Sequence, residues 1–368
     1  MTGFFKKLMA SGTALTLGLS AMAFADQYNQ GYNNGCNPCA QPCGNSGSWC
    51  DNLKIDASFL YWKVSGDELD YAYDYATATN EGEEFQYTRK RFHNVSGDYD
   101  PGFKIGLGID FPCICWDTNL IWTHFDSKTS SHHDSEFRGI STNVAIPFFK
   151  ESEVTLGAGD RVNASGSLNF KYDVIDLEFG KWICCNNCLL FRPHVGLRAV
   201  DIREKFHSEL DVFSTDGTPS TFLTDYRAHI NNEFKGLGVR AGLDTDLQLC
   251  EGWSVIGRAA AAIVWGNTKI RNDFDSLEID SRDFATRSHE TDHYRHSRAF
   301  TDLSLGIRYR SCWCSCPFSI EAAWEHHYLF NQHRFFASDY LNSENGYNFK
   351  KNGDVSLQGL TVTLGLEF

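Results

Sequence analysis

The sequence predicts an all-β fold: a transmembrane antiparallel β-barrel of about ten strands, or about 12–16 if the long connections hide more, behind an irregular Cys-rich N-terminal extension. Three observations predict it. Apolar residues alternate with small or polar ones in one stretch after another, the mark of strands with a single apolar face. Short links and long polar connections take turns between these stretches, as turns and external loops do in such barrels. All 13 cysteines fall in the extension or in the short links.

The alternation is clearest from Leu357 to Phe368. Leu360, Val362, Leu364, Leu366 and Phe368 occupy every second position, with Gly359, Thr361, Thr363, Gly365 and Glu367 in the gaps. The final Phe368 resembles the signal read by the insertion machinery of bacterial outer-membrane barrels; for this segment alone, the last strand of a soluble sandwich is the other reading. At the opposite end, Lys6 and Lys7 precede an apolar stretch from Leu8 to Phe24, and Ala23-Phe24-Ala25 supplies small residues. Residues 1–25 therefore read as a signal peptide cleaved before Asp26. No later segment has the roughly 18 consecutive apolar residues of a spanning helix, and only helices and closed barrels satisfy their backbone in lipid. Residues 26–52 hold mostly Asn, Gln, Gly, Tyr and Cys, with almost nothing to bury, and are expected to be an irregular periplasmic extension. Residues 53–368 form the barrel, with no linker to divide it.

In order, the first strand runs from about Lys54 to Val64, with Tyr61 and Trp62 suited to a membrane interface. An acidic connection follows. In the second strand Phe103, Ile105, Leu107, Ile109 and Phe111 face lipid, while Lys104, Gly106, Gly108 and Asp110 face the lumen. The third passes through Leu120 and Trp122. The fourth, Leu168 to Lys181, switches its apolar register between Val174 and Ile175, which predicts a bulge. The fifth takes in Phe191, Val195 and Leu197. The sixth, Phe234 to Leu249, turns Leu237, Val239, Ala241, Leu243 and Leu247 outward and Arg240 and Asp244 inward. The seventh spans Trp253 to Thr268, the eighth Ala299 to Arg310 and the ninth Phe318 to Leu329; the C-terminal strand is the tenth. Long polar loops are expected around 65–101, 126–166, 206–233, 269–298 and 330–353.

Cys36, Cys39, Cys43 and Cys50 lie in the extension. Cys113 and Cys115, then Cys184, Cys185 and Cys188, then Cys250, then Cys312, Cys314 and Cys316 lie in the short links. With both termini periplasmic, every cysteine is periplasmic, where disulfides form. Cysteines one or two apart rarely meet disulfide geometry with each other, and an odd number cannot pair completely within one chain. Bonds to a second copy or to other envelope proteins are therefore expected; nearly complete pairing inside the chain is the other arrangement. Cys36-Asn37-Pro38-Cys39 also has zinc spacing, but an exported chain favours disulfides, and neither a metal nor another cofactor is expected.

Chemistry is sparse. His289-Glu290-Thr291-Asp292-His293 matches H-E-x-x-H, which needs a helix to bring both His to one zinc. The stretch from Thr286 to Arg298 has no apolar periodicity, so a solvated loop is expected and no enzyme. His326 and His327 are neighbours on a strand and must point to opposite faces. Asp176 and Glu178 share a face, and carboxylates on a barrel wall are tolerable only towards water. With Arg192, His194 and Arg198 on the next strand, and Arg240 and Asp244 beyond, they are the candidate lumen residues. They either set a transverse field that selects ions or brace the lumen across strands. The formal net charge of −14 argues against a nucleic-acid partner, whose phosphates call for a basic surface.

Several runs resemble one family, the major outer membrane protein-like porins of Legionella and chlamydia-like bacteria: Asp56-Ala57-Ser58-Phe59-Leu60-Tyr61-Trp62-Lys63, Tyr172-Asp173-Val174-Ile175-Asp176-Leu177-Glu178, Arg192-Pro193-His194-Val195-Gly196-Leu197-Arg198 and Trp324-Glu325-His326-His327. The resemblance implies a multi-pass barrel in outer-membrane lipid that passes small hydrophilic solutes and ions. It also implies a periplasmic face stapled by disulfides that adds to envelope integrity. The Cys-rich extension departs from the pattern. The competing expectation is a structural or adhesive surface barrel, cross-linked by disulfides and with little channel activity, because ten strands enclose a narrow lumen.

Overall fold

The computed structural model describes residues 53–67, 69–80, 83–95, 97–111, 116–136, 142–146, 149–156, 160–186, 188–214, 221–249, 252–278, 284–313, 316–339 and 347–368. The expected signal peptide, the expected extension with its four cysteines, and Cys113, Cys115, Cys250 and Cys314 lie outside these. In chain order the strands are β1 (Leu53–Gly66), β2 (Asp70–Asn80), β3 (Glu83–Asn94), β4 (Tyr99–Phe111), β5 (Trp116–Glu136), β6 (Thr142–Ile146), β7 (Phe149–Leu156), β8 (Arg161–Lys181), β9 (Ile183–Asn186), β10 (Leu189–Ser214), β11 (Thr221–Gln248), β12 (Trp253–Glu278), β13 (Phe284–Trp313), β14 (Cys316–Asp339) and β15 (Tyr347–Glu367).

Ten of them close a barrel, as expected. The wall runs β1-β4-β5-β8-β10-β11-β12-β13-β14-β15 and returns to β1, every neighbour antiparallel. At the seam the Ser58 and Thr363 hydroxyls, 305 positions apart in sequence, share a 2.8 Å hydrogen bond. The remaining strands sit outside the wall. β2–β3 and β6–β7 are hairpins joined to each other, β7 touches β14 at Ser338, and β9 pairs only with the start of β10.

Alternation places the apolar residues of the membrane belt on the outer face. Phe103, Ile105, Leu107, Ile109 and Phe111 of β4 are exposed, as are Leu237, Val239, Leu243 and Leu247 of β11 and Leu303, Leu305 and Ile307 of β13. Aromatics rim the belt. Tyr61 stacks on Tyr99, which meets the Trp324 ring edge-on; towards the short turns, Phe111 pairs with Trp116, and Trp253 packs on Tyr309. From Tyr99 to Phe111 is about 40 Å of strand at 3.3 Å per residue, or about 30 Å of height at the usual tilt, which matches a hydrocarbon core.

Two expectations fail for one reason. The bulge at Val174/Ile175 is absent, since β8 pairs with β5 and β10 without a register shift. Ile175 and Phe179 point out to lipid, whereas Leu168, Phe170, Tyr172 and Val174 point into the barrel. The apolar register switches because the lumen itself changes from charged to apolar at that height. The long polar loops are likewise mostly strand: β10, β11, β12 and β13 run well past the membrane belt, held by inward residues such as Leu210, Ile230 and Phe274. The connection after β1 and the one after β5 fold into the extra hairpins and add nothing to the wall.

β14 breaks the regularity. Its pairing with β13 runs from Trp313↔Cys316 to Phe300↔Leu329 and stops. Its pairing with β15 shifts register between Leu329 and His333, where Asn331 takes a left-handed φ of 51°. Asn tolerates that conformation better than other non-Gly residues. The chain turns inward here and buries Gln332 completely.

Candidate functional site

The lumen is the candidate site, and it has two tiers. In the tier beside the short turns, every wall strand from β4 to β14 contributes a charge. Arg192 on β10 reaches Asp117 on β5 with Nε and Nη2 at 2.9 and 2.6 Å, and its Nη1 donates to Glu178 at 3.2 Å and Asp244 at 2.7 Å. Gly180 makes room for it, since a Cβ there would lie 2.5 Å from Arg192 Nε. Arg198 clasps Asp176 through two 2.7 Å bonds and reaches Asp302 on β13 at 2.6 Å. Arg240 completes this set against Glu178, Asp176 and Asp302. On the other side Arg258 holds Glu321 in a fork at 2.6 and 2.7 Å, Arg308 bridges Glu321 and Asp246, and Lys104 binds Glu325. His327 links Asp302 to Glu325 at 2.8 and 3.4 Å. A cavity of about 240 Å³ remains among these groups.

All seven lumen candidates thus come together. Asp176, Glu178, Arg192, His194 and Arg198 are buried, and Arg240 and Asp244 point inward beside them. His194 stands 3.7 Å from Glu178 and 3.6 Å from Asp244. Opposite charges meet in direct contact from one strand to another. His326 and His327 separate as expected, with only His327 buried in the lumen. Asp117, Asp302, Glu321, Arg258 and Arg308 belong to the network equally. Sequence reasoning missed them, although each alternates with lipid-facing neighbours and could have been found by that register alone.

The second tier is an apolar collar. Leu60, Trp62, Phe125, Phe170, Phe234 and Phe300 are all but fully buried across the lumen. Trp62 anchors it, with Nε1 donating to Thr361 at 3.0 Å and its ring 5.7 Å from Phe125 and 4.6 Å from His327. Above the collar the inward bulge of β14 meets side chains of β11 and β13. Asn232 Nδ2 donates to the Gln332 carbonyl at 2.7 Å, Arg298 binds both the carbonyl and side-chain oxygens of Gln332, and the Arg298 guanidinium lies 4.2 Å above the Phe234 ring. Beyond that, β2 folds into the mouth. Leu69, Tyr71 and Ala72 are buried, and Ser208 donates to the Tyr71 carbonyl at 2.7 Å.

His289 and His293 correct the expected loop: both lie on the outer face of β13, His289 bonded to Asp273 of β12. Four strand residues span about 13 Å, too far for one zinc. At the short-turn rim Cys185 and Cys188 are exposed.

A family model described as "Legionella pneumophila major outer membrane protein precursor" matches residues 45–368. No curated protein matches the chain. Among solved structures it is similar to the outer membrane protease OmpT of Escherichia coli, with 11% identity, 87% of this chain and 97% of that one covered, and a TM-score of 0.38. It is also similar to the P. putida toluene transporter TodX (8% identity, 86% and 90% covered, TM-score 0.22) and to a Pseudomonas aeruginosa FadL homologue (10% identity, 86% and 90% covered, TM-score 0.24). With a closed ten-strand barrel, an outward apolar belt and a family match over all of the described residues, the chain belongs to the Legionella major outer membrane protein family.

Proposed function

We propose that this outer-membrane protein is a narrow, gated channel for small ions and hydrophilic solutes, not a permanently open diffusion pore. The charged tier is its vestibule, and the collar with the β14 bulge is its gate, drawn here closed. The observation that carries the reading is the polar contact at the bulge. Gln332 Nε2 and Asn232 Oδ1 are buried without a hydrogen-bond partner, which costs about 1–3 kcal/mol each. A permanent plug would gain by being apolar, whereas groups that are orphaned when dry and satisfied when wet bring a hydrated, open state closer in energy. In this reading the short-turn rim faces the periplasm, the surface residues of the belt contact lipid, and the cysteines link that rim to itself or to other envelope proteins.

The ten-strand wall and filled lumen favour a second reading, a closed barrel that serves the envelope as a scaffold and displays its hairpins. Conductance in a planar bilayer, in a salt gradient, decides between them. The expected result is infrequent small steps for the wild type and a severalfold lower open probability for the Asn232→Leu, Gln332→Leu double variant, whose apolar gate leaves fewer groups for water to satisfy. Stably inserted protein without steps in either form would leave the scaffold.

A further inference from the structure

Beside the gate, where the β2–β3 hairpin enters the mouth, three side chains from separate parts of the sequence converge. Asp74 on β2, His93 on β3 and His133 on β5 each present a ligand atom within 4.8 Å of the others. Asp74 Oδ1 lies 2.6 Å from His93 Nε2, and the His93 and His133 rings are stacked with centroids 3.5 Å apart and 20° between planes. His133 faces into the barrel from the wall, while Asp74 and His93 belong to the hairpin.

We infer that Asp74, His93 and His133 bind a divalent transition-metal ion of the zinc type, which latches the hairpin to the barrel wall. Two imidazoles and one carboxylate are a known zinc donor set, with a fourth position left for water. Ligand bonds of about 2 Å in a tetrahedron set donor atoms about 3.3 Å apart, within the 4.8 Å that already encloses the three, and the two rings tilt out of their stack to aim both nitrogens at the ion. Metal requires the neutral imidazole. Two rings stacked this closely also repel if both are protonated, and an ion supplies the cation that the pair lacks. The inference stands apart from the channel reading, since a scaffold would use the same latch.

The test is titration of the full refolded barrel, its thiols alkylated so that no cysteine competes, with Zn²⁺ by calorimetry and with Co²⁺ by visible absorption. Folding of each variant is checked by heat-modifiable migration in a gel. One Zn²⁺ per chain is expected, with affinity at least about tenfold weaker in His93→Ala and in His133→Ala and unchanged in His289→Ala, an outer-wall histidine. Asp74→Asn keeps the shape of the hairpin and is expected to weaken binding and shift the Co²⁺ spectrum, which carries the test if either alanine variant fails to fold. No binding to the wild type, or unaltered binding in Asp74→Asn and the His93 and His133 variants, overturns the inference.

Discussion

At the scale of the residue, the lumen is governed by guanidinium groups that each answer several carboxylates. Arg192 is the extreme case, since Asp117, Glu178 and Asp244 all depend on it. Buried ion pairs contribute little net stability when intact, because desolvation offsets attraction, but removing one partner strands the other. Arg192→Met therefore is expected to cost about 3–5 kcal/mol, read as a lower urea midpoint for barrel unfolding in detergent. Replacing Arg203, whose partners Asp201 and Glu233 sit on the solvent side, is expected to cost no more than about 1 kcal/mol. A midpoint that falls equally in both variants would show that burial is not what makes the network matter. The seven lumen candidates were legible because a charge inside a run of alternating aliphatics has only one place to go. Their mutual partners were not, since register fixes a face but says nothing about which strand lies across the lumen.

At the scale of the element, the strands were easiest to read where they cross the membrane. There one face is apolar and the other polar, and the period of two stands out in β4 and β15. Beyond the belt the pattern inverts: Leu210, Val212 and Ile230 point in while Glu209, Arg227 and His229 point out. Mixed charge and a weaker period made β10 to β13 resemble loops, and the same inversion within β8 imitated a bulge. The true irregularity, at Asn331, carries no clear mark beyond one Asn. The tips of these tall strands also respond to acid. Burial pushes the Asp225 carboxyl up to about 6, and Asp211 and Glu209 add to the rise against Arg227. A raised folded value for an acid means that the protonated form favours the folded tip. That contribution is full below about pH 4 and is lost as pH rises through about 6. Amide exchange at the β10–β11 tip is expected to run at nearly equal rates in wild type and Asp225→Asn at pH 4 and faster in the wild type at pH 7. A ratio that does not change with pH would remove Asp225 from this role.

At the scale of the whole molecule, the composition was a fair guide to the fold and a poor one to the lumen. Aromatics make up 14% of the chain, a content that suits girdles around a wet interior, yet many of them, Trp62, Phe125 and Phe300 among them, fill that interior. Orientation has its own test. Cys185 and Cys188 are exposed at the rim of short turns, so with that rim periplasmic a membrane-impermeant thiol reagent is expected to leave them unmodified in intact cells after reduction and to label them once the reduced cells are lysed. Labelling before lysis would invert the barrel. The β1–β15 seam bears on how the molecule is made. Its partners are about as far apart in sequence as the barrel allows, and contacts of such separation form late and slowly. Until β15 is available β1 keeps one edge unpaired, and an open edge of that kind is a template for pairing with another chain.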